Sequence, residues 1–307
     1  MLFLLETVVS GLLAGVMYSL VALGFVLIFK ASGIFNFAQG VFALFAGLAL
    51  YDFIADDGWF YHMFGFVLPV WAGIIATMGV MIIVAWLVEF LVLRHLVKQE
   101  PIILFMSTIG LAYFLEGLGD TLFGSDVKPL DIGLPHGAVD FLLDDYNFYV
   151  EKLEIVAAVV AAVLVVVLAV FFQKTRIGRA LRAVADDHQA ALSVGISLRT
   201  IWVIVWSVSG FVALVAGIMW GSKSGIQFSL SLIALKALPV LILGGFTSVP
   251  GAIIGGLIIG VGEKVAEVYA GPFVGSAIEN WFAYMLALAF LLFRPQGLFG
   301  EKIIERV

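Results

Sequence analysis

Cysteine is absent from all 307 residues, which removes disulfides, thiolate metal ligands and cysteine nucleophiles. Charge is nearly as scarce. Asp, Glu, Lys and Arg make up 12% of the chain, about half of what a water-covered globule carries. With 63% hydrophobic residues and a mean hydropathy of +1.15, there is too little polar surface to cover a soluble domain, so the chain must be solvated by lipid. The net charge is −6, and no run of Lys and Arg is dense enough to track a phosphate backbone, which excludes nucleic acid as a partner. His62, His95, His136 and His188 lie far apart, with no H-x-x-x-H or H-E-x-x-H spacing, so neither a metal site nor a cofactor is expected. There is no G-x-x-x-x-G-K-[ST] phosphate loop either, so any ATP chemistry has to come from another protein.

What is abundant is glycine, 33 residues, alongside long apolar runs. A helix needs about 20 apolar residues to cross the hydrocarbon core. Candidates fall at 2–29, 34–55, 66–93, 101–124, 153–172, 201–221 and 277–293. The first run carries Glu6, lacks a basic leader and is too long for a signal sequence, so it reads as a span. A further apolar stretch, 228–268, is interrupted by Lys236, Pro239, Gly244, Gly245, Thr247 and Pro250, which splits it into a short segment near 230–246 and a fuller one near 250–268. The expectation is an all-α polytopic membrane protein with eight or nine spans and one permease-like domain over 1–307.

Basic residues mark the cytoplasmic side. Lys30, Arg94, Lys98, Lys174, Arg176, Arg179, Arg182, Arg199, Arg294, Lys302 and Arg306 put their loops inside, whereas the acidic loops at 56–65 and 125–152 belong outside. An outside N-terminus with an inside C-terminus requires an odd number of crossings, which favours nine if the short segment at 230–246 crosses; if that segment is re-entrant, one terminus lies on the other side.

The inside segment 173–200, QKTRIGRALRAVADDHQAALSVGISLRT, reads as a helix from Arg179 to Leu192 with Gly178 and Gly195 at chain reversals. Small apolar residues such as Ala180, Val184 and Ala191 share one face, and Arg179, Arg182 and Asp186 another. Such a helix either docks a partner or lies among lipid headgroups.

Five strings decide between these. TRIGRALRAVADDHQAALSVGI resembles the cytoplasmic coupling motif of permease subunits of ATP-binding-cassette importers, in the form used by the branched-chain amino acid permease family. GIFNFAQG at 33–40, STIGLAYFLEG at 107–117, LKALPVLILGGFTSVPGAIIGGLIIG at 235–260 and RPQGLFG at 294–300 agree in order and spacing. The chain is similar to the first of the two homologous permeases such systems pair. The resemblance implies a bacterial inner-membrane protein working with a second permease, two cytoplasmic ATPases and a periplasmic substrate-binding protein. It also implies that Gly178, Arg179, Arg182, Ala183, Asp186, Asp187 and Gly195 couple to an ATPase.

The remaining candidates come from residue chemistry. Gly251 and Gly255, and Gly256 and Gly260, are two small-xxx-small pairs that favour close helix packing. Gly244, Gly245 and Pro250 form a break whose backbone groups could line a pathway or gate. Ionisable groups inside a span are expensive and are usually paired or water-facing. Glu116, Asp120 and Lys236 therefore either line a pathway or form ion pairs that fix packing, while Glu89 sits near an inner helix end where it can snorkel. Asn36, Gln39 and Ser32, beside Phe35 and Phe37, either bind a small polar solute or cap a helix end. The functional reading is a solute-translocating permease for branched-chain or related amino acids, urea or amides. Its rivals are a proton- or ion-coupled secondary transporter using Glu116 or Asp120 as a relay, and, less well supported by motifs, a membrane-embedded enzyme.

Overall fold

A computed structural model describes residues 2–96, 99–186, 188–275 and 278–300. Helices dominate, and the only β-type pairing among these residues is two isolated bridges. In chain order the α-helices of six residues or more among those described are α1 Leu2–Ser32, α2 Gln39–Ile54, α3 Trp59–Phe64, α4 Val70–Val88, α5 Pro101–Phe123, α6 Asp140–Tyr146, α7 Lys152–Lys174, α8 Arg176–Asp186, α9 His188–Ser193, α10 Leu198–Ser224, α11 Ile233–Gly244, α12 Val249–Tyr269 and α13 Glu279–Phe293. A π-helical turn, Glu89–Leu93, extends α4, and a 3-10 turn, Phe228–Leu232, leads into α11.

Among the described residues seven helices are long and apolar enough to cross a membrane, and the protein is an all-α polytopic membrane protein. They are a different seven from those marked in the sequence. The stretch 250–268 is a full-length helix, whereas the expected span at 277–293 holds only the 15-residue α13. At 1.5 Å per residue that is about 22 Å, short of a core about 30 Å thick.

Side-chain exposure separates buried stripes from lipid-facing ones. On α5, Thr108, Ala112, Leu115 and Gly119 are buried at helical spacing, while Ile102, Met106, Tyr113, Phe114 and Leu122 point outward. On α7 the buried stripe is Leu153, Ala157, Ala161, Leu164 and Leu168, with Val159, Val163, Val166 and Val170 exposed. An outward apolar face on each helix is what lipid solvation requires.

The chain folds as two compact units. The first comprises Met1–Val26, Leu134–Val165 and Ile233–Val307, and holds α6, α11, α12 and α13 with parts of α1 and α7. The second comprises Leu27–Gly133 and Val166–Leu232. In the second unit α10 packs on α2 and α4, and Phe42 meets the fully buried Trp206 edge to face with ring centres 5.8 Å apart. The bridge Lys128–Ile226 ties the C-terminal ends of α5 and α10 together on one side of this unit. In the first unit the bridge Ala138–Glu151 closes the loop carrying α6, and the Glu6 carboxylate accepts the Tyr149 N–H at 3.2 Å, so the start of α1 lies at the level of that loop.

α11 is a short but complete leg. Its first turn reaches Glu279 at the start of α13, and its last residue, Gly244, abuts Gly251 at the start of α12.

Candidate functional site

The segment 173–200 is built on a corner. The Thr175 hydroxyl accepts the Gly178 N–H at 2.9 Å, capping the first turn of α8 just after α7 ends. Gly178 therefore lies inside the first turn rather than at a chain reversal, which falls at Thr175. A side chain at 178 would run into the carbonyls of Phe171 and Phe172, so the corner needs glycine. Gly195 does sit at a reversal: its φ is +84°, and the N–H groups of Gly195 and Ile196 bond to Leu192 and Ala191, both at 3.0 Å. Leu181, Val184 and Ala191 are buried, α8 packs on α10, and Arg179 and Arg182 are exposed, with Ala183 half-buried. Ala180 is half-buried at the edge of that face. Asp187 lies outside the described residues, as does the side chain of Asp186.

In the same unit, the loop 33–38 between α1 and α2 is held by amides. Asn36 Nδ2 donates to Gln39 Oε1 at 3.3 Å, and Ser209 Oγ donates to the same oxygen at 2.8 Å. Gln39 Nε2 reaches the Ser209 carbonyl at 3.4 Å, and Asn36 Oδ1 accepts the Ala38 N–H at 3.1 Å. Thr108 accepts the Phe37 N–H at 3.0 Å. Asn36 and Gln39 are fully buried, Phe37 is half-buried against Phe105, and every amide atom of the pair has a partner. Ser32 bonds back to the Ile28 carbonyl and caps the Ile34 N–H.

Glu116 is half-buried and Asp120 exposed on α5, both off the buried stripe and without a side-chain partner among the described residues. Glu89 does not snorkel. It is buried on the π-helical turn, with Arg94 Nη2 at 2.8 Å.

In the first unit the two glycine pairs serve different neighbours. Gly256 and Gly260 face Gly15 and Gly11 of α1, so closely that a Cβ on Gly256 would come within 2.6 Å of the Gly15 carbonyl oxygen. Gly251 and Gly255 face Gly244 and Val240 of α11, where a Cβ on Gly255 would meet the Val240 oxygen at 2.6 Å. The α1 half of this seam, Gly11-xxx-Gly15, went unmarked in the sequence reading, although its spacing is the same signal. The break after α11 is closed rather than open. Gly245 takes φ +102°, and the carbonyls of Leu243 and Gly244 accept the N–H groups of Leu298 and Phe299 at 2.8 and 3.1 Å. Ser248 caps α12 through the Gly251 N–H at 3.0 Å, with Pro250 in the first turn.

Lys236 finds its partner within its own unit. Its Nζ lies 3.0 Å from Glu279 Oε1 and 3.5 Å from the Tyr18 hydroxyl, while Lys264 Nζ lies 3.0 Å from Glu279 Oε2. Beside them Glu263 is 1% exposed, and neither of its carboxylate oxygens sits in hydrogen-bonding geometry with any described residue. Glu263, Lys264 and Glu279 were missed because they sit at the rims of apolar runs that were read as spans; an acid–base pair inside 250–268 was the available signal.

Among the described residues no group of three or more His, Asp or Glu side chains is arranged to hold a metal ion.

Residues 7–294 match the family described as "Branched-chain amino acid transport system / permease component". The chain is similar to the high-affinity branched-chain amino acid transport system permease protein LivH of Escherichia coli (strain K12), with 26% identity over 100% of this chain and 98% of that one. It is 28% identical to the corresponding permease protein BraD of Pseudomonas aeruginosa, over 99% and 98% of the two chains. A probable branched-chain amino acid transport permease protein, LivH of Methanocaldococcus jannaschii, is 26% identical over 92% and 88%.

Proposed function

The chain belongs to the family of branched-chain amino acid transport system permease components, and from that premise we propose how it works within an ATP-driven importer. It is the membrane-spanning permease subunit, and it needs ATPase and substrate-binding partners. The finer reading is that a second homologous permease, two cytoplasmic ATPases and a periplasmic binding protein complete the complex in the bacterial inner membrane. Its solute is a branched-chain or related amino acid.

The observation that carries this reading, beyond the family, is the build of α8. One face is buried against α10, and the other presents Arg179 and Arg182 outward from a glycine-dependent corner. A force applied to such a helix passes directly to α7 through the Thr175 corner and to α10 through the buried face. ATPase closure would thus bias a packed, two-state element. ATP is bound and hydrolysed on the partner subunits.

The test is reconstitution of the full complex in proteoliposomes. Leucine uptake should require ATP and the loaded binding protein, and should persist when an uncoupler collapses the proton gradient. Arg182→Glu should leave the complex assembled but abolish solute-stimulated ATP hydrolysis. Uptake by this chain alone, driven by an imposed proton gradient, would overturn the proposal in favour of a secondary transporter.

A further inference from the structure

Within the first unit, charges converge from four helices. Tyr18 comes from α1, Lys236 from α11, Glu263 and Lys264 from α12, and Glu279 from α13. The outer layer of this group is a conventional ion-pair relay in which Glu279 bridges the two lysines at 3.0 Å each. These three side chains are only 27 to 34% exposed, at a half-open rim. Glu267 locks the layer by accepting the Glu279 N–H at 3.0 Å.

Behind it lies Glu263, with Lys236 and Lys264 as its favourable charges and Glu279 as the opposing one. The Tyr18 hydroxyl lies beside it. A carboxylate this deeply buried is normally saturated with donors, because an unpaired buried charge is strongly disfavoured. Here both oxygens stand without a hydrogen bond among the described residues. Each lysine ammonium carries three protons. Lys264 has one acceptor shown and Lys236 two, the second at 3.5 Å. The group therefore has spare acceptors on Glu263 and spare donors on the lysines, side by side. That is the complement of one chemical class, a molecule bearing an ammonium and a carboxylate on one carbon.

Resting on the importer reading, we propose that Glu263, Lys236 and Lys264 form a recognition point for a zwitterionic α-amino acid in transit. Glu263 receives the ammonium group, and the lysines, released in part from Glu279, receive the carboxylate. Glu279 sits at the half-open rim and can turn toward water as the solute carboxylate replaces it. The glycine seam on the same helix supports this division of labour. α12 is fixed by backbone contacts to α1 and α11, so its charges are not needed to hold it in place.

The experiment uses the complete reconstituted complex with Glu263→Gln and Glu263→Asp, read by ATP-driven uptake of radiolabelled leucine, by ATPase stimulation with loaded binding protein, and by thermal midpoint. The amide is isosteric, and it removes a carboxylate whose two oxygens accept no hydrogen bond of good geometry from the described residues. Glu263→Gln should therefore keep or raise the midpoint and retain ATPase stimulation while leucine uptake falls at least tenfold. Glu263→Asp should recover part of that loss. Wild-type uptake in Glu263→Gln would overturn the proposal. So would a lowered midpoint or failed assembly, since that would show the carboxylate to be a structural partner, and so would an Asp variant no better than the amide. If the unmutated complex takes up no leucine with ATP, it is the importer reading that fails, an outcome separable from all of these.

Discussion

Two of the polar clusters buried in this chain, one in each unit, are built on opposite plans. Around Asn36 and Gln39 every amide atom is matched to a neighbour, and the matches hold the loop 33–38 and the start of α2 in one shape. Around Glu263 the charges are strong, but two carboxylate oxygens are left over. A satisfied network rigidifies and has little to offer a ligand, whereas a buried carboxylate with unused oxygens has acceptors free for a visiting donor. Polar residues in a membrane span are thus better sorted by their spare valences than by their charge.

If this contrast is right, the first unit should draw its stability from packing. Gly256→Val should produce the largest effect of all, because the added carbons overlap the Gly15 carbonyl, which as backbone cannot yield. Overpacking of this kind costs about 1–3 kcal/mol or more. Loss of the folded chain in a detergent stability assay is expected, and a variant as stable as the parent would break the comparison at its base. Gln39→Leu should come next. It removes the acceptor of Asn36 Nδ2 and one bond of the Ser209 hydroxyl, and a buried donor left without its acceptor costs about 1–3 kcal/mol. The thermal midpoint should drop by several degrees, and transport should fall only as far as the folded fraction does. A selective transport defect with an unchanged midpoint would move the amide cluster into the solute pathway.

Much of this was legible in the sequence, for reasons that can be named. Long apolar runs gave the helices because lipid leaves a spanning backbone few other ways to satisfy its hydrogen bonds. The glycine pairs gave the seam on α12, since close backbone approach needs the missing Cβ. What stayed hidden depended on partners distant in the chain. That Lys236 meets Glu279, 43 residues on, is a tertiary fact, and so is the closure of the Gly244–Gly245 break by Leu298 and Phe299. The stretch 277–293 was marked at full span length because composition does not show that the described helix there, α13, is only 15 residues long. Glu89 was misread because a charge near a helix end is as compatible with snorkelling as with the buried Arg94 pair that the π-helical turn creates.

A smaller effect sharpens the contrast from the charged side. Lys264→Met leaves Glu279 still paired to Lys236 and removes a bridge whose partners are about a third exposed. Its contribution to stability should be under about 1 kcal/mol. The midpoint should hardly move, while leucine uptake should fall several-fold through a raised concentration dependence. A large loss of stability with unaltered uptake would make the charged cluster structural, like its counterpart.

The smallest effect concerns a third polar pair that is neither buried nor left over. Asp140, at the start of α6, lies 2.9 Å from Lys152 Nζ, and its carboxylate is 80% exposed. The Lys152 hydrogen bond, and then its positive charge, hold the Asp140 carboxyl below the usual carboxylate range. Because the folded value is depressed, the pair contributes in full above the ordinary aspartate pKa of about 3.9, and the contribution is lost as pH falls through the folded value. Asp140→Asn should therefore be marginally easier to cleave by protease in the 134–151 loop at pH 7, and less distinguishable still in high salt. In an acid-active protease assay near pH 2 the two proteins should behave alike. A difference that persisted there would assign the effect to the shape of the loop rather than to the charge.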